Sequence, residues 1–346
     1  MWGGGVIAVM VAMEGLDAGL NTLSKAAMNE GMSDFVFVVY FNALALLFLL
    51  SSNFFYYRKK PIPKPPLFIV FRIFILGILS CGVQIFMYVG IGYSSPTMAS
   101  AMNGLIPGFT FILAILTRME KLDLRVRSSQ AKSIGTLVAL AGAYILIFYQ
   151  GPAVISSGRS TSYNVFGTLY VSNWIIGGLL LVTSSVLFSL SFIVQTWIIK
   201  EYPAELMVSL FGCIFVLIPS AIVALIVERD LSAWKLKPDL DLVTIAYSAI
   251  FMVTIRGVVD IWACRTKGPV FVSMFKPIGM VFTVVMTVTF LRVTLHIGSV
   301  IGAAIIALGF YSVLWGKAEE VNMVEDIVIS GFDSSPDEEV PLLRNT

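Results

Sequence analysis

The stretch Gln84–Pro107, QIFMYVGIGYSSPTMASAMNGLIP, decides the fold class. It is apolar enough for lipid, yet it carries Gln84, Asn103, Pro96, Pro107 and a scatter of glycine, alanine and serine. A segment that only crosses a bilayer needs none of these. Hydrocarbon offers no hydrogen bonds, so intramembrane polar groups must pair or face a cavity. The stretch therefore reads as the wall of a path through a membrane protein.

The rest of the chain agrees. Its 346 residues are 58% hydrophobic and 13% charged, with mean hydropathy +0.89. Soluble domains average about 25% charged residues, so this composition indicates a polytopic, all-α membrane protein. A net charge of +2, with no basic patch interleaved with aromatics, gives nucleic acid no footing. Cys81, Cys213 and Cys264 stand singly in or near apolar runs and read as packing residues. No cofactor or metal is expected. The chain enters its first span almost at once, so that span is expected to be retained as the insertion signal.

Runs of about 20 predominantly apolar residues mark spans, and ten follow. They are Trp2–Met28, Phe35–Tyr57, Leu67–Tyr93, Ser95–Met119, Ile134–Tyr149, Trp174–Ile199, Ala204–Val227, Leu242–Cys264, Gly268–Leu291 and Ile297–Trp315. Alternate loops gather Arg58, Lys59, Lys60, Lys64, Arg118, Lys121, Arg125, Arg127, Lys132, Lys200, Arg265, Lys267 and Lys317 on one face. The other face holds Lys25, Arg159, Arg229, Lys235, Lys237 and Arg292. That excess places both termini in the cytosol; the membrane expected is the plasma or the vacuolar one.

An internal repeat organises the spans. Pro96 to Asn103 aligns with Pro269 to Lys276 at an offset of 276 − 103 = 173. Gly135, Gly142 and Tyr144 match Gly302, Gly309 and Tyr311 at 302 − 135 = 167. Five spans per half make the second copy inverted, an architecture of secondary transporters with the site between the repeats. Residues 1–149 form the first half, 150–173 a polar non-cytosolic linker without glycosylation sequons, and 174–317 the second half. Residues 318–346 form an acidic tail expected to be disordered. Its Glu338, Leu342 and Leu343 match an acidic dileucine pattern that sorting adaptors read, against chance in a short tail.

Charges inside the spans need a reason, because each costs about 2.5 kcal/mol or more at the bilayer centre. Glu14 and Asp17 lie one turn apart on the first span and could take a cation, a proton or a substrate amine, or form an ion pair. Arg256 and Asp260, at i and i+4, read as a local salt bridge, with a part in coupling as the alternative they share with Asp17. Lys276 has Asp260 or a substrate carboxylate as partner, or is neutral through desolvation. Gln84, Asn103 and Gln195 offer amides to a zwitterion, or act as glue between helices. Phe86, Tyr88, Tyr93, Phe109 and Trp262 could stack on an indole, or pack. Pro107 and Pro277 each remove a backbone donor and permit bending. Together these predict a midplane site lined by spans one, three, four, six, eight and nine. His296 reads as an interfacial histidine at a helix start near the non-cytosolic surface, with a pH sensor as the alternative.

The run Lys25–Ser33 followed by Val36–Tyr40 resembles the first-hairpin signature of plant nodulin-21-like, Walls-Are-Thin-related EamA proteins. These are the UMAMIT transporters of the drug/metabolite transporter superfamily. Ala131-Lys132-x-x-Gly135-Thr136, Lys200-x-Tyr202-Pro203-Ala204, Lys267-Gly268-Pro269-Val270 with Pro277, and Gly298–Ala303 to Leu314–Lys317 are similar to the family as well. The resemblance implies ten helices in two inverted repeats, proton-motive-force-independent or facilitative export of amino acids in many members, and auxin transport in one branch. Two departures stand out. The turn Leu291–Leu295 lacks the family's acid, although Glu120 keeps it in the first half, and Lys276 replaces a residue that is neutral in many members. Loss of that acid is the one feature favouring a non-transporting membrane sensor. No HExxH, GxSxG or Gly-Lys-Thr signature, and no large cytosolic loop, suggests an enzyme. The expectation is a secondary transporter or facilitator of small organic solutes, amino acids first, with indole carboxylates as the alternative.

Overall fold

The structure, a computed structural model, describes residues 2–58, 65–119, 125–149, 151, 153–155, 167–236, 240–273, 275–291 and 295–333. The dileucine residues Glu338, Leu342 and Leu343, together with Glu120 and Arg292, lie outside them. Lipid leaves no partner for an open backbone, and helices accordingly dominate. They are α1 (Trp2–Asn29), α2 (Asp34–Tyr57), α3 (Leu67–Tyr93), α4 (Pro96–Asn103), α5 (Ile106–Leu116) and α6 (Arg127–Phe148) in the first half. The second half has α7 (Gly167–Glu201), α8 (Glu205–Val227), α9 (Leu240–Tyr247), α10 (Gly257–Lys267), α11 (Pro269–Ser273), α12 (Lys276–Met286) and α13 (Ile297–Asp333). A π-helix, Ser248–Arg256, joins α9 to α10 into one rod.

Among the described residues, eight helical segments, counting α4–α5, α9–α10 and α11–α12 as one each, are long and apolar enough to cross a membrane. Val300–Val313 of α13 adds a shorter apolar helix, and α6 packs along α13, a set approximately consistent with the ten helices expected.

The halves interlock rod by rod. α1 packs on α12, α2 on α8, α3 on α7 and α8, and α6 on α13. The repeated glycines meet at this last seam. A Cβ on Gly142 would sit 2.8 Å from the Ile306 nitrogen, and one on Gly309 2.5 Å from the Ala139 nitrogen. Without a hydrophobic drive between helices in lipid, such close approach supplies the packing. Tyr144 and Tyr311, matched by the repeat, are each 65% exposed on the outer surface.

Three boundaries differ from the sequence reading. The linker contributes a short strand, β1 (Ala153–Ile155), antiparallel to β2 (Leu295–His296), so His296 belongs to a strand pair just before α13. The helix α7 starts at Gly167, inside the stretch read as loop. The backbone of α13 stays helical to Asp333, past the expected end at Trp315, because 317–330 holds no glycine or proline and several good helix formers.

Candidate functional site

Both central rods break where the repeat places its prolines. The first breaks at 104–105 between α4 and α5, with Pro107 in the opening turn of α5. In the second, α11 ends at Ser273 and α12 begins at Lys276, with Pro277 in its opening turn. A proline at a helix start loses nothing, since its missing N–H would be unpaired there anyway. Carbonyls at the first break find donors on α7: the Ser185 hydroxyl donates to Met102 O at 3.0 Å, and Ser189 to Ile106 O at 3.1 Å. Facing them, Ser100 donates to Thr283 Oγ1 at 2.6 Å and ties α4 to α12.

Between the broken rods lies a cavity of about 170 Å³. One wall is ionic. The Arg256 guanidinium reaches Glu14 at 2.6 Å, Asp17 at 3.2 Å and Asp260 at 3.4 Å, and donates to Met13 O at 3.4 Å. Lys276 Nζ lies 3.6 Å from Glu14, 3.9 Å from Asp17 and 4.6 Å above the Phe188 ring. Arg256 and Lys276 are each 4% exposed and Glu14 2%. Burial of this degree makes unpaired charge very costly, and the partners explain why the cations persist. Lys276 also opens α12, where the helix dipole disfavours a cation, so its placement depends on the two acids of α1. The approach of α12 to α1 rests on Gly279, where a Cβ would lie 2.9 Å from Glu14 Oε2.

Arg256 occupies the last residue of the π-helix. The Thr254 hydroxyl donates to Ala249 O at 2.8 Å, five residues back, in keeping with the wide turn. One extra residue in a turn re-aims the side chains beside it, and such turns recur at functional sites.

The other wall is neutral. Asn42 Nδ2 donates to Gln84 Oε1 at 2.7 Å and to Val38 O at 2.8 Å. With its oxygen engaged, Gln84 is left with an amide NH2 to offer the cavity it lines. Asn103 and Gln195 line the same space, as do Ser80, Ser184, Ser191 and Ser209. Apolar surface comes from Phe188, Phe192, Met87 and Met252.

The cavity extends to one side. Leu76 and Ser80 of α3, Gln195 of α7, Val208 of α8 and Ile261 of α10 carry it toward the face where the basic loops gather. Toward the opposite face, Phe37, Phe41 and Tyr88 close together, with ring centroids 4.9 Å apart for Phe37–Phe41 and Phe37–Tyr88. Beyond them, Ser33 donates to Glu228 at 2.5 Å and Tyr40 to Trp234 O at 2.9 Å, both joining the two halves.

Measured against the sequence, Gln84, Asn103, Gln195, Lys276, Asp17, Arg256 and Asp260 all line the cavity. Glu14 does not; it sits behind the wall as the short-range partner of Arg256. Arg256 serves three acids rather than Asp260 alone, and the ion-pair contacts of Lys276 are Glu14 and Asp17, not Asp260. Asn103 ends α4 whereas Lys276 begins α12, so the two are not at equivalent points of their rods. None of the five aromatics named for stacking lines the cavity; Tyr88 belongs to the aromatic plug. Spans two and seven also contribute, through Asn42 and through Val208, Ser209, Gly212, Cys213 and Val216. Asn42 and Phe188 were missed. Asn42 had a visible signal as an amide inside an apolar run, and Phe188 had none. The three cysteines are buried and unbridged.

Known proteins share this architecture and sequence. The EamA-like transporter family model matches residues 175–315. WAT1-related protein At3g28050 of Arabidopsis thaliana is 46% identical, over 92% of this chain and 87% of its own. From the same organism, WAT1-related protein At5g40240 is 41% identical over 95% and 90%, and WAT1-related protein At4g15540 42% over 90% and 88%. One solved crystal structure superposes with a TM-score of 0.57 at 15% identity, over 88% of this chain and 96% of that one, a likeness of fold alone. With near full-length identity of this order, the chain belongs to the WAT1-related, EamA-like transporters of the drug/metabolite transporter superfamily, multi-pass membrane proteins.

Proposed function

We propose that this transporter moves amino acids, as a secondary carrier or facilitator, by rocking its two halves around the cavity between the broken rods. The observation that carries the reading is the division of that cavity into an ionic wall and an amide wall. A zwitterion needs both signs of charge within a few ångströms, and Asp17 and Lys276 supply them beside the neutral donors Gln84 and Asn103. Phe188, Phe192 and Met252 would receive an apolar side chain. In the arrangement seen here the cavity leans toward the basic-loop face, where Ile73, Ile198 and Tyr202 pack beyond it, and Phe37, Phe41 and Tyr88 close the opposite face. Under the positive-inside rule the face nearer the cavity is the cytosolic one, with both termini cytosolic in the plasma or vacuolar membrane. The acidic dileucine residues would engage sorting adaptors, and replacing Leu342 and Leu343 with alanine should then reroute a tagged protein.

The second reading is an indole carboxylate, favoured by Phe188 lying beneath Lys276, where a ring and an anion could be held together. Uptake and efflux in proteoliposomes separate the two. Glutamine and other neutral amino acids are expected to move and to compete with one another. Flux of indole-3-acetic acid alone would replace the first reading with the second. No flux of any solute would leave a sensor.

A further inference from the structure

We propose that Asp260 is a reversible proton-binding site and that its proton is coupled to solute movement. The inference rests on the transport reading for its consequence, though not for its geometry.

Two independent observations converge. First, the buried cluster does not balance. Glu14, Asp17 and Asp260 face Arg256 and Lys276, three carboxylates against two cations, a formal excess of one negative charge. In a water-poor interior an uncompensated charge of this kind takes up a proton or a counter-ion. Second, one carboxylate oxygen has no donor. Asp260 Oδ2 faces Arg256 Nε at 3.4 Å, the longest of the three guanidinium contacts, while Oδ1 is buried without any hydrogen-bond partner. Glu14 holds the 2.6 Å contact and also the nearer approach of Lys276, so it is the acid best kept ionised. Asp17 is shared by both cations. Asp260 is the acid with least compensation, and a proton on Oδ1 removes both the orphaned acceptor and the excess charge.

Other elements around Asp260 do not change the count. The groups acting on it are Arg256 on its own rod, Lys276 on α12, and Glu14 and Asp17 on α1, with Cys264 one turn along. Gln195 of α7 and Ser209 of α8, which line the cavity with it, are neutral, and Glu205 of α8 is paired with Arg265 at the helix end. Asp260 lines the cavity, and exchange of its proton with bulk water would pass the apolar packing of Ile73, Ile198 and Tyr202 at the basic-loop end when that end opens. The step is simple in balance: an O–H bond forms at Oδ1 with a proton from water and breaks on its return. Closure of that face would carry the proton with the solute or against it.

The test reads the proton directly. Infrared spectra of the purified full-length protein at neutral pH should contain a protonated-carboxyl C=O band. Asp260→Glu should move that band, because a glutamic acid carbonyl absorbs at a different frequency from an aspartic one. Asp260→Asn, which copies the shape of the neutral acid, should remove the component of the band that Asp260 carries, read in the wild-type-minus-variant difference spectrum. No band in the wild type, or a band unmoved in Asp260→Glu, overturns the proposal; the second result puts the proton on another acid. In proteoliposomes with labelled glutamine, a pH difference of about one unit should change accumulation by up to roughly tenfold if one proton moves per solute. Asp260→Asn should make flux indifferent to the gradient. A wild type that moves glutamine with no response to pH rejects the coupling. Failure of flux altogether, with the Asp260 band present, rejects the transport reading and leaves the proton site intact.

Discussion

Replacing Arg256 with methionine tests whether burial or contact distance governs these ion pairs. Arg256 meets Glu14 at 2.6 Å, with the two side chains 4% and 2% exposed. Arg265 meets Glu205 at the same 2.6 Å, with exposures of 46% and 22%. Geometry alone would give the two arginines similar weight. Solvent screening reduces an exposed pair to about 0–1 kcal/mol, whereas removing one partner from a buried pair costs about 3–5 kcal/mol by stranding the other charge. In Arg256→Met three carboxylates would be left with only Lys276, which places the loss toward the upper end. At about 2–4 °C per kcal/mol for chains of 150–250 residues, and somewhat less for a longer one, Arg256→Met should lower the melting temperature of detergent-purified protein by at least about 5 °C. Arg265→Met should lower it by no more than about 2 °C. Adding Glu14→Gln to Arg256→Met should recover about 1–3 kcal/mol of the loss, because directly contacting groups couple on that scale. Equal melting temperatures for the two single variants would refute the reasoning. So would a double variant no more stable than Arg256→Met.

Three further expectations follow from single contacts. Gly279→Val should separate α12 from α1, since even a Cβ there would come within 2.9 Å of Glu14 Oε2; overpacking of this kind costs about 1–3 kcal/mol, read as a lower melting temperature with loss of flux, and wild-type behaviour would disprove the close approach. Gln84→Leu removes the acceptor of Asn42 Nδ2 in a buried site, at a cost of about 1–3 kcal/mol; amino-acid affinity should fall with it, and unchanged affinity would make Gln84 a purely structural group. Cysteines in place of Ser33 and Glu228, whose side chains bond across the halves, should arrest turnover when cross-linked by a short bifunctional reagent and release it when the linker is cleaved. Continued turnover in the cross-linked protein would show that this face does not open.

The repeat was legible because glycine and proline carry positional meaning that survives divergence. Gly135, Gly142, Gly302 and Gly309 announce a close helix seam, and α6 and α13 meet through them. Pro107 and Pro277 announce breaks, and both open the second half of a broken rod. Intramembrane charges were equally plain, but their pairing was not. Counting turns along one rod suggests Asp260 for Arg256, while the 2.6 Å contact comes from Glu14, far away in sequence on a different rod. The π-helix ending at Arg256 adds to the difficulty, since a wide turn shifts the phase of the residues before it and leaves no mark in hydrophobic spacing. Phe188 was illegible for a related reason: one phenylalanine among many becomes part of a site only through Lys276 above it.

Where the repeat is imperfect it also says most about the cavity. From Pro96 to Pro107 the first broken rod counts 107 − 96 = 11 residues, and from Pro269 to Pro277 the second counts 277 − 269 = 8. The difference of three is close to one helical turn, and it falls in the short half-helix before the break: α4 runs Pro96–Asn103, while α11 is only Pro269–Ser273. Aligning Asn103 with Lys276 at a constant offset therefore equates the end of one half-helix with the start of the other. The shortened α11 brings Lys276 onto the opening turn of α12, against Glu14 and Asp17, and the longer α4 leaves Asn103 before the break as a neutral group. A deletion of one turn, rather than the substitution of one residue, is thus enough to make two related half-sites chemically different. Restoring three residues to α11 should move Lys276 off the acids of α1, and the ionic wall would then be the first feature lost.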